Sequence, residues 1–430
     1  GVGQAEEVDM IQFRKAVTVQ VDRRMSSCWN RSVYPEKSVF HVKHTLLRIS
    51  ASLATLFFVI LVTGCGAQFA SPEGWAPPVE YGNRTILLQG EGGRLALIDG
   101  RMKSSEEPFW WYPERVAEVS DSGGGFLSGL FGGSSGDDWS SDPFYARPLV
   151  VPGDVLYVVS TSGILRKLSS LNGITESPSE VWALEIGEVV ISTPALLGSS
   201  IFVGTDEGSL LKISDATGQI EAKWDIGVGR IWSSLQIYND DLLVVDIGEG
   251  TFMRISGKSG EIIDSVNLGG GVPGDGLLVG DSMYFGTFGG QVHRVNLKDF
   301  SIDWSVSGNG WFAGPFVSKG AKVYAATTRG SVLCLDSSTG SIVWSKNIPE
   351  SNFRSRPAIV GNDLVLADRE GALLGLDADT GSVRWTSRVD DEVYADLFIH
   401  EGQILLLSKS HALFVIDANS GAIRTVFTGE

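Results

Sequence analysis

Three cysteines and five histidines in 430 residues bound the metal, redox and nucleophilic chemistry open to this chain. The cysteines stand far apart, at Cys28, Cys65 and Cys334, so they form neither a vicinal pair nor a metal clamp. Cys334 lies inside the apolar run Val332-Leu333-Cys334-Leu335, where a thiol acts as a small buried hydrophobe. His293, His400 and His411 are widely separated, so a histidine-rich metal site is not expected. Asp377-Ala378-Asp379-Thr380-Gly381 offers oxygens at a spacing that suggests calcium. Its glycine comes one place early and no closing glutamate follows, so turn chemistry explains it. The 51 acidic residues are spread along the chain, with no defined acid/base pair. No catalytic residue, no metal and no cofactor is expected. The exception is Cys65, which directly follows a 13-residue apolar run, Ala51–Thr63, and one glycine.

That run is too short to span a bilayer, which takes about 20 residues, and it fits the hydrophobic region of a secretory signal. Lys43 and Arg48 precede it as a basic flank, and it ends in Val62-Thr63-Gly64-Cys65. An aliphatic residue, two small residues and a cysteine resemble the bacterial lipobox, in which the thiol receives diacylglycerol. Residues 1–64 are therefore expected to be an upstream segment plus signal peptide, with Met25 a candidate start. Residues 65–78 would be a lipidated tether holding the domain on a membrane. The resemblance implies secretion across the cytoplasmic membrane. Gly66, in place of Asp, favours the periplasmic face of an outer membrane in a two-membrane cell; a one-membrane cell would place the domain on its outer face.

These sparse groups must be positioned by the remaining chain, which is repetitive. Apolar residues make up 43% and glycines number 53, enough for a large core with many tight turns. The net charge of −17 argues against nucleic acid, whose phosphates would be repelled. Glycines at Gly93, Gly163, Gly208, Gly250, Gly290, Gly330 and Gly371, with His411 in the eighth place, recur about every 41 residues after a longer first interval. Each copy reads as a strand, a T-x-x-G hairpin, a second strand ending in Leu-Asp or Ile-Asp, a D-x-x-T-G turn, and a strand carrying Trp182, Trp224, Trp304, Trp344 or Trp385. A further strand precedes each hairpin, as in Thr193–Leu197. The tryptophans are expected to pack between neighbouring copies. The fold class is all-β: an eight-bladed β-propeller of four-stranded antiparallel blades over residues 79–430, with a Gly/Ser-rich insertion at about 101–145. In that insertion Phe126, Leu127, Leu130 and Phe131 are candidate contacts for a partner or membrane.

Segments such as Val323–Trp344 (VYAATTRGSVLCLDSSTGSIVW) and Leu364–Trp385 (LVLADREGALLGLDADTGSVRW) resemble the PQQ-like, quinoprotein-type propeller repeat, V-Y-V-G-T-x-D-G-x-L-Y-A-L-D-A-x-T-G-x-x-x-W. Eight such copies behind a lipobox resemble the BamB family of outer-membrane β-barrel assembly lipoproteins. The resemblance implies a non-catalytic protein-interaction scaffold in the cell envelope, with a β-barrel assembly subunit as the partner. Alternatives are a propeller that binds or senses an envelope ligand such as a polysaccharide, and a PQQ-dependent dehydrogenase. Quinoprotein alcohol dehydrogenases resemble this fold, but many carry a Cys-Cys pair, a calcium site and an Asp base, and the cysteine pair is lacking here.

A binding role rests on one face, where inter-blade connections and hairpins meet. The candidate partner-binding residues are Arg230, Trp232, Trp311, Phe312, Phe353, Arg354, Arg356 and Tyr394, mostly aromatics and arginines of the kind that anchor interfaces. Val189-Val190-Ile191, Val393, Arg329, Arg369 and Lys409 lie nearby on the same loops. The chain is expected to be a monomer.

Overall fold

The computed structural model describes residues 76–82, 85–90, 93–101, 107–113, 142–143, 145–169, 176–227 and 229–428. The signal and lipid-attachment readings at residues 1–64 and Cys65, most of the tether, and Phe126, Leu127, Leu130 and Phe131 lie outside them. Among the described residues there is no α-helix, and 32 strands form eight four-stranded antiparallel sheets. The sheets span 79–112, 149–185, 195–225, 236–267, 277–307, 317–347, 358–388 and 398–427. Each is built from four consecutive strands, so no blade borrows a strand from elsewhere in the chain.

The third blade shows the plan. Ala195–Leu197 is the inner strand, Ser200–Gly204 and Ser209–Ser214 are the middle pair, and Ile220–Asp225 is the outer strand. The two middle strands are largely buried because neighbouring blades cover both faces of each sheet there. In Lys322–Ala326 successive side chains serve opposite neighbours: Val323 and Ala325 pack in the core between the fifth and sixth blades, Tyr324 and Ala326 in that between the sixth and seventh. Among the described residues there are eight such cores, one per seam. The last joins Ile86, Leu88 and Ile98 of the first blade to Leu405, Leu407 and Val415 of the eighth. The ring is thus closed by packing.

The tryptophans bind the seams, as expected. Each sits over the glycine that ends the corresponding turn of the next blade, D-x-x-T-G or a variant of it. A Cβ on Gly218 would lie 2.7 Å from Trp182, on Gly340 2.7 Å from Trp304, and on Gly381 2.6 Å from Trp344. Trp182, Trp344 and Trp385 also donate their indole N–H to the carbonyls of Asp215, Ala378 and Ala418, at 2.9, 3.0 and 2.7 Å. Cys334 is fully buried, and burial pushes its thiol pKa up, consistent with a packing role.

One boundary differs from the sequence reading. Trp110–Tyr112, inside the stretch read as an insertion, is the outer strand of the first blade and pairs with Leu95–Leu97. The first copy lacks the full D-x-x-T-G turn, so its last strand left no pattern in the sequence.

Candidate functional site

Connections and hairpins form one face through a backbone belt. The connection into a blade accepts from that blade's hairpin: Asp206 N–H donates to Val189 O at 2.9 Å, Thr328 to Trp311 O at 2.9 Å, Arg369 to Asn352 O at 3.0 Å and Lys409 to Glu392 O at 2.9 Å. The connection leaving a blade donates back, as Ile231 N–H does to Thr205 O at 3.0 Å and Val393 N–H to Arg369 O at 2.9 Å. The T-x-x-G hairpins are stiffened by their own hydroxyls; Thr327 Oγ1 accepts from Ser331 N–H at 3.0 Å.

Two rings of side chains descend from this belt into the central channel. The upper ring lies four residues before each inner strand and consists of Tyr145, Ile191, Trp232, Pro273, Ala313, Arg354 and Tyr394. With Ile247, Phe288 and Trp311 these residues line a funnel of about 460 Å³. The lower ring lies two residues further along, where strand-like spacing returns the side chain to the same side. It holds Pro77, Arg147, Thr193, Ser234, Asp275, Pro315, Arg356 and Asp396.

The lower ring is a floor of charges paired with one another. Arg356 Nη2 is 3.7 Å from Asp275, its Nε is 3.7 Å from Asp396, and its backbone N–H donates to Asp396 at 2.8 Å. Arg147 reaches Asp396 at 3.5 Å, and burial lowers its guanidinium pKa while Asp396 opposes the shift. Ser234 donates to Asp275 from its backbone N–H at 2.6 Å and its hydroxyl at 2.8 Å. This floor does not suit a calcium–quinone centre. Both channel carboxylates are engaged, and two guanidiniums would repel a divalent cation. Among the described residues no group of three His, Cys, Asp or Glu could hold a metal.

The eight sequence candidates divide. Trp232, Trp311, Arg354 and Tyr394 line the funnel, and Arg356 lies in its floor. Arg230 stands at the rim, 60% exposed, 3.6 Å from Asp206 and 6.0 Å from the Trp232 ring, while the Trp232 indole donates to the same Asp206. Phe312 and Phe353 are corrections: each is 1% exposed and packs in a seam core, so neither presents its ring on the face. In Trp311-Phe312 and Phe353-Arg354 neighbouring side chains point opposite ways, one outward and one into the core. Val190 and Val393 are buried too. Tyr394 takes N–H bonds from Arg369 at 3.1 and 2.6 Å and donates to Glu392 at 2.6 Å; burial, then Glu392, raises its pKa. Tyr145, Pro273, Ala313 and the floor residues Arg147, Asp275 and Asp396 were missed. Their signal is position alone, a fixed offset before each inner strand.

A family model described as outer membrane protein assembly factor BamB matches residues 221–356, 303–389 and 328–424, overlapping spans within the third to eighth blades. No curated protein sequence matches the chain. Among solved structures, BamB from Moraxella catarrhalis superposes with a TM-score of 0.62 at 12% identity, covering 79% of this chain and 93% of that one. The computationally designed Ika8 protein gives 0.61 at 12% identity, covering 82% and 96%. Quinohemoprotein alcohol dehydrogenase from Comamonas testosteroni gives 0.54 at 13% identity, covering 66% and 67%. At these identities the superpositions speak for the fold: the chain is an eight-bladed β-propeller that resembles BamB, and spans within its third to eighth blades match the BamB-described family model.

Proposed function

We propose that this protein is a lipid-anchored cell-envelope scaffold without catalytic activity, acting as BamB-like proteins do in outer-membrane β-barrel assembly. The observation that carries the reading is the funnel. Its wall is largely apolar and aromatic and opens on one face, while the charges of its floor are paired with one another. Such a surface suits a docking polypeptide better than a reaction that needs a free acid or base. The family match and the lipobox-like Cys65 support an envelope location and a partner there.

The test is purification of the tagged protein from detergent-solubilised, cross-linked membranes. A β-barrel-inserting subunit should co-purify, and the protein mixed with PQQ and Ca²⁺ should neither bind quinone nor reduce dye. Dye reduction, or recovery without any barrel-assembly subunit, would overturn the proposal.

A further inference from the structure

If this face is a docking surface, as proposed above, its chemistry narrows what docks there. Most cations around the funnel are already engaged. Arg230 pairs with Asp206, Arg369 donates to Tyr394 and lies 4.0 Å from Glu392, and Lys409 is 3.5 Å from the same Glu392. Arg147 and Arg356 are held by the floor aspartates. Arg329 and Arg354 differ. Both are exposed, and among the described residues neither has a carboxylate within 4.0 Å. Arg354 has a neutral partner, its Nε donating to Asn352 at 3.3 Å.

These two arginines flank an exposed aromatic pair. Trp311 is 49% exposed and Phe288 37%, and they meet edge to face at 5.2 Å. The hairpin carrying Arg329 is tied to Trp311 through the Thr328 N–H, and a Cβ on Gly310 would lie 2.9 Å from Arg329 Cβ. Arg354 and Trp311 line the same funnel. On a chain of net charge −17, two unneutralised guanidiniums beside two open rings call for a group that is both apolar and anionic. A neutral glycan would use the rings and leave the guanidiniums unmatched. A nucleic acid would carry a run of phosphates beyond the two guanidiniums onto a chain of net charge −17, whereas a single carboxylate beside an aromatic ring needs only those two groups.

We infer that Phe288, Trp311, Arg329 and Arg354 form a subsite for an acidic-aromatic segment of a partner polypeptide. An aromatic side chain stacks on Trp311, and the carboxylate beside it lies between the two guanidiniums, which match carboxylates in geometry as well as charge.

The experiment is fluorescence anisotropy of the purified protein with a labelled peptide of alternating Phe and Glu, against its Gln-for-Glu counterpart and an oligothymidylate of equal charge. The acidic peptide should bind, less tightly as salt rises. Arg329→Gln with Arg354→Gln should weaken it about tenfold or more, and Trp311→Ala by a similar factor. Lys298→Gln, in the turn at the other end of the fifth blade, should leave binding unchanged. Arg354→Glu should lose the Glu peptide and gain its Lys-for-Glu counterpart, a rescue that a misfolded variant cannot show. Absence of binding, equal binding of the Gln peptide or the oligonucleotide, or indifference to both arginines would overturn the inference. If a barrel-assembly subunit co-purifies but the peptide fails, the subsite falls and the scaffold reading stands. If the peptide binds and no such subunit co-purifies, the subsite stands and the scaffold reading falls.

Discussion

Where Trp344 lies over the next blade, Gly381 is the residue that makes room. Gly381 has φ +69°, and a Cβ there would stand 2.6 Å from the indole. Gly361 has φ +61° with nothing within 4 Å of the same position. Alanine at Gly361 should therefore cost about 1–2 kcal/mol of left-handed strain. At Gly381 the same strain is joined by displacement of Trp344, for a total of about 2–5 kcal/mol. Urea denaturation of the two variants compares them, and equal losses would show that the indole yields freely. The roles of tryptophan as core and glycine as turn were legible from the repeat. Which glycine serves which tryptophan was not, because the partners belong to successive copies. Burial was legible only on average: Phe312 and Phe353 share tripeptides with exposed residues, and only the backbone's local direction separates inward from outward.

The D-x-x-T-G turn is the most regular element. Asp377 accepts from the N–H groups of Asp379 and Thr380 at 3.0 and 2.9 Å and from the Thr380 hydroxyl at 2.9 Å, and it pairs with Arg384. Arg384, then Thr380, holds its pKa down at about 2; at Asp336 Ser338 and Thr339 do the same, also to about 2. In the unfolded chain an aspartate titrates near about 3.9. A depressed folded pKa adds stability that is complete above about pH 4 and is lost as pH falls towards about 2. Stability measured by denaturant should therefore drop through that window, and the double variant Asp336→Asn, Asp377→Asn should show a shallower drop while keeping an oxygen for the turn. An unchanged acid limb would mean that other carboxylates govern it. These turns and the T-x-x-G hairpins made the blades legible. The outer strand of the first blade, Trp110–Tyr112, escaped because it lacks them.

Across the whole molecule, seven seams are bridged by the chain running from one blade into the next, and the eighth is not. The first and last blades meet through a packed core, the Trp111–Phe427 contact at 5.7 Å and the exposed Arg101–Glu401 pair at 3.2 Å. An exposed pair adds little, so packing dominates there. Leu405 in this seam and Leu366 in the seam of the sixth and seventh blades are each 1% exposed. Either changed to alanine should cost about 2–5 kcal/mol. Only Leu405→Ala should speed proteolysis of the two terminal blades, because no connection holds their flanks together when the seam opens. Identical cleavage patterns would show that the closure needs no special support. The channel floor is also a property of this scale. Arg147 and Asp396 are 249 residues apart, and their positions hold Pro, Thr and Ser in other copies, so only the closed ring reveals them as partners.

The belt of hydrogen bonds around the funnel has an evolutionary consequence. Because the rim is drawn in main-chain atoms, its outline does not depend on which side chains hang from it. Substitutions at the mouth can change what the surface recognises while the platform stays as it is, so a lineage could exchange one partner for another a letter at a time.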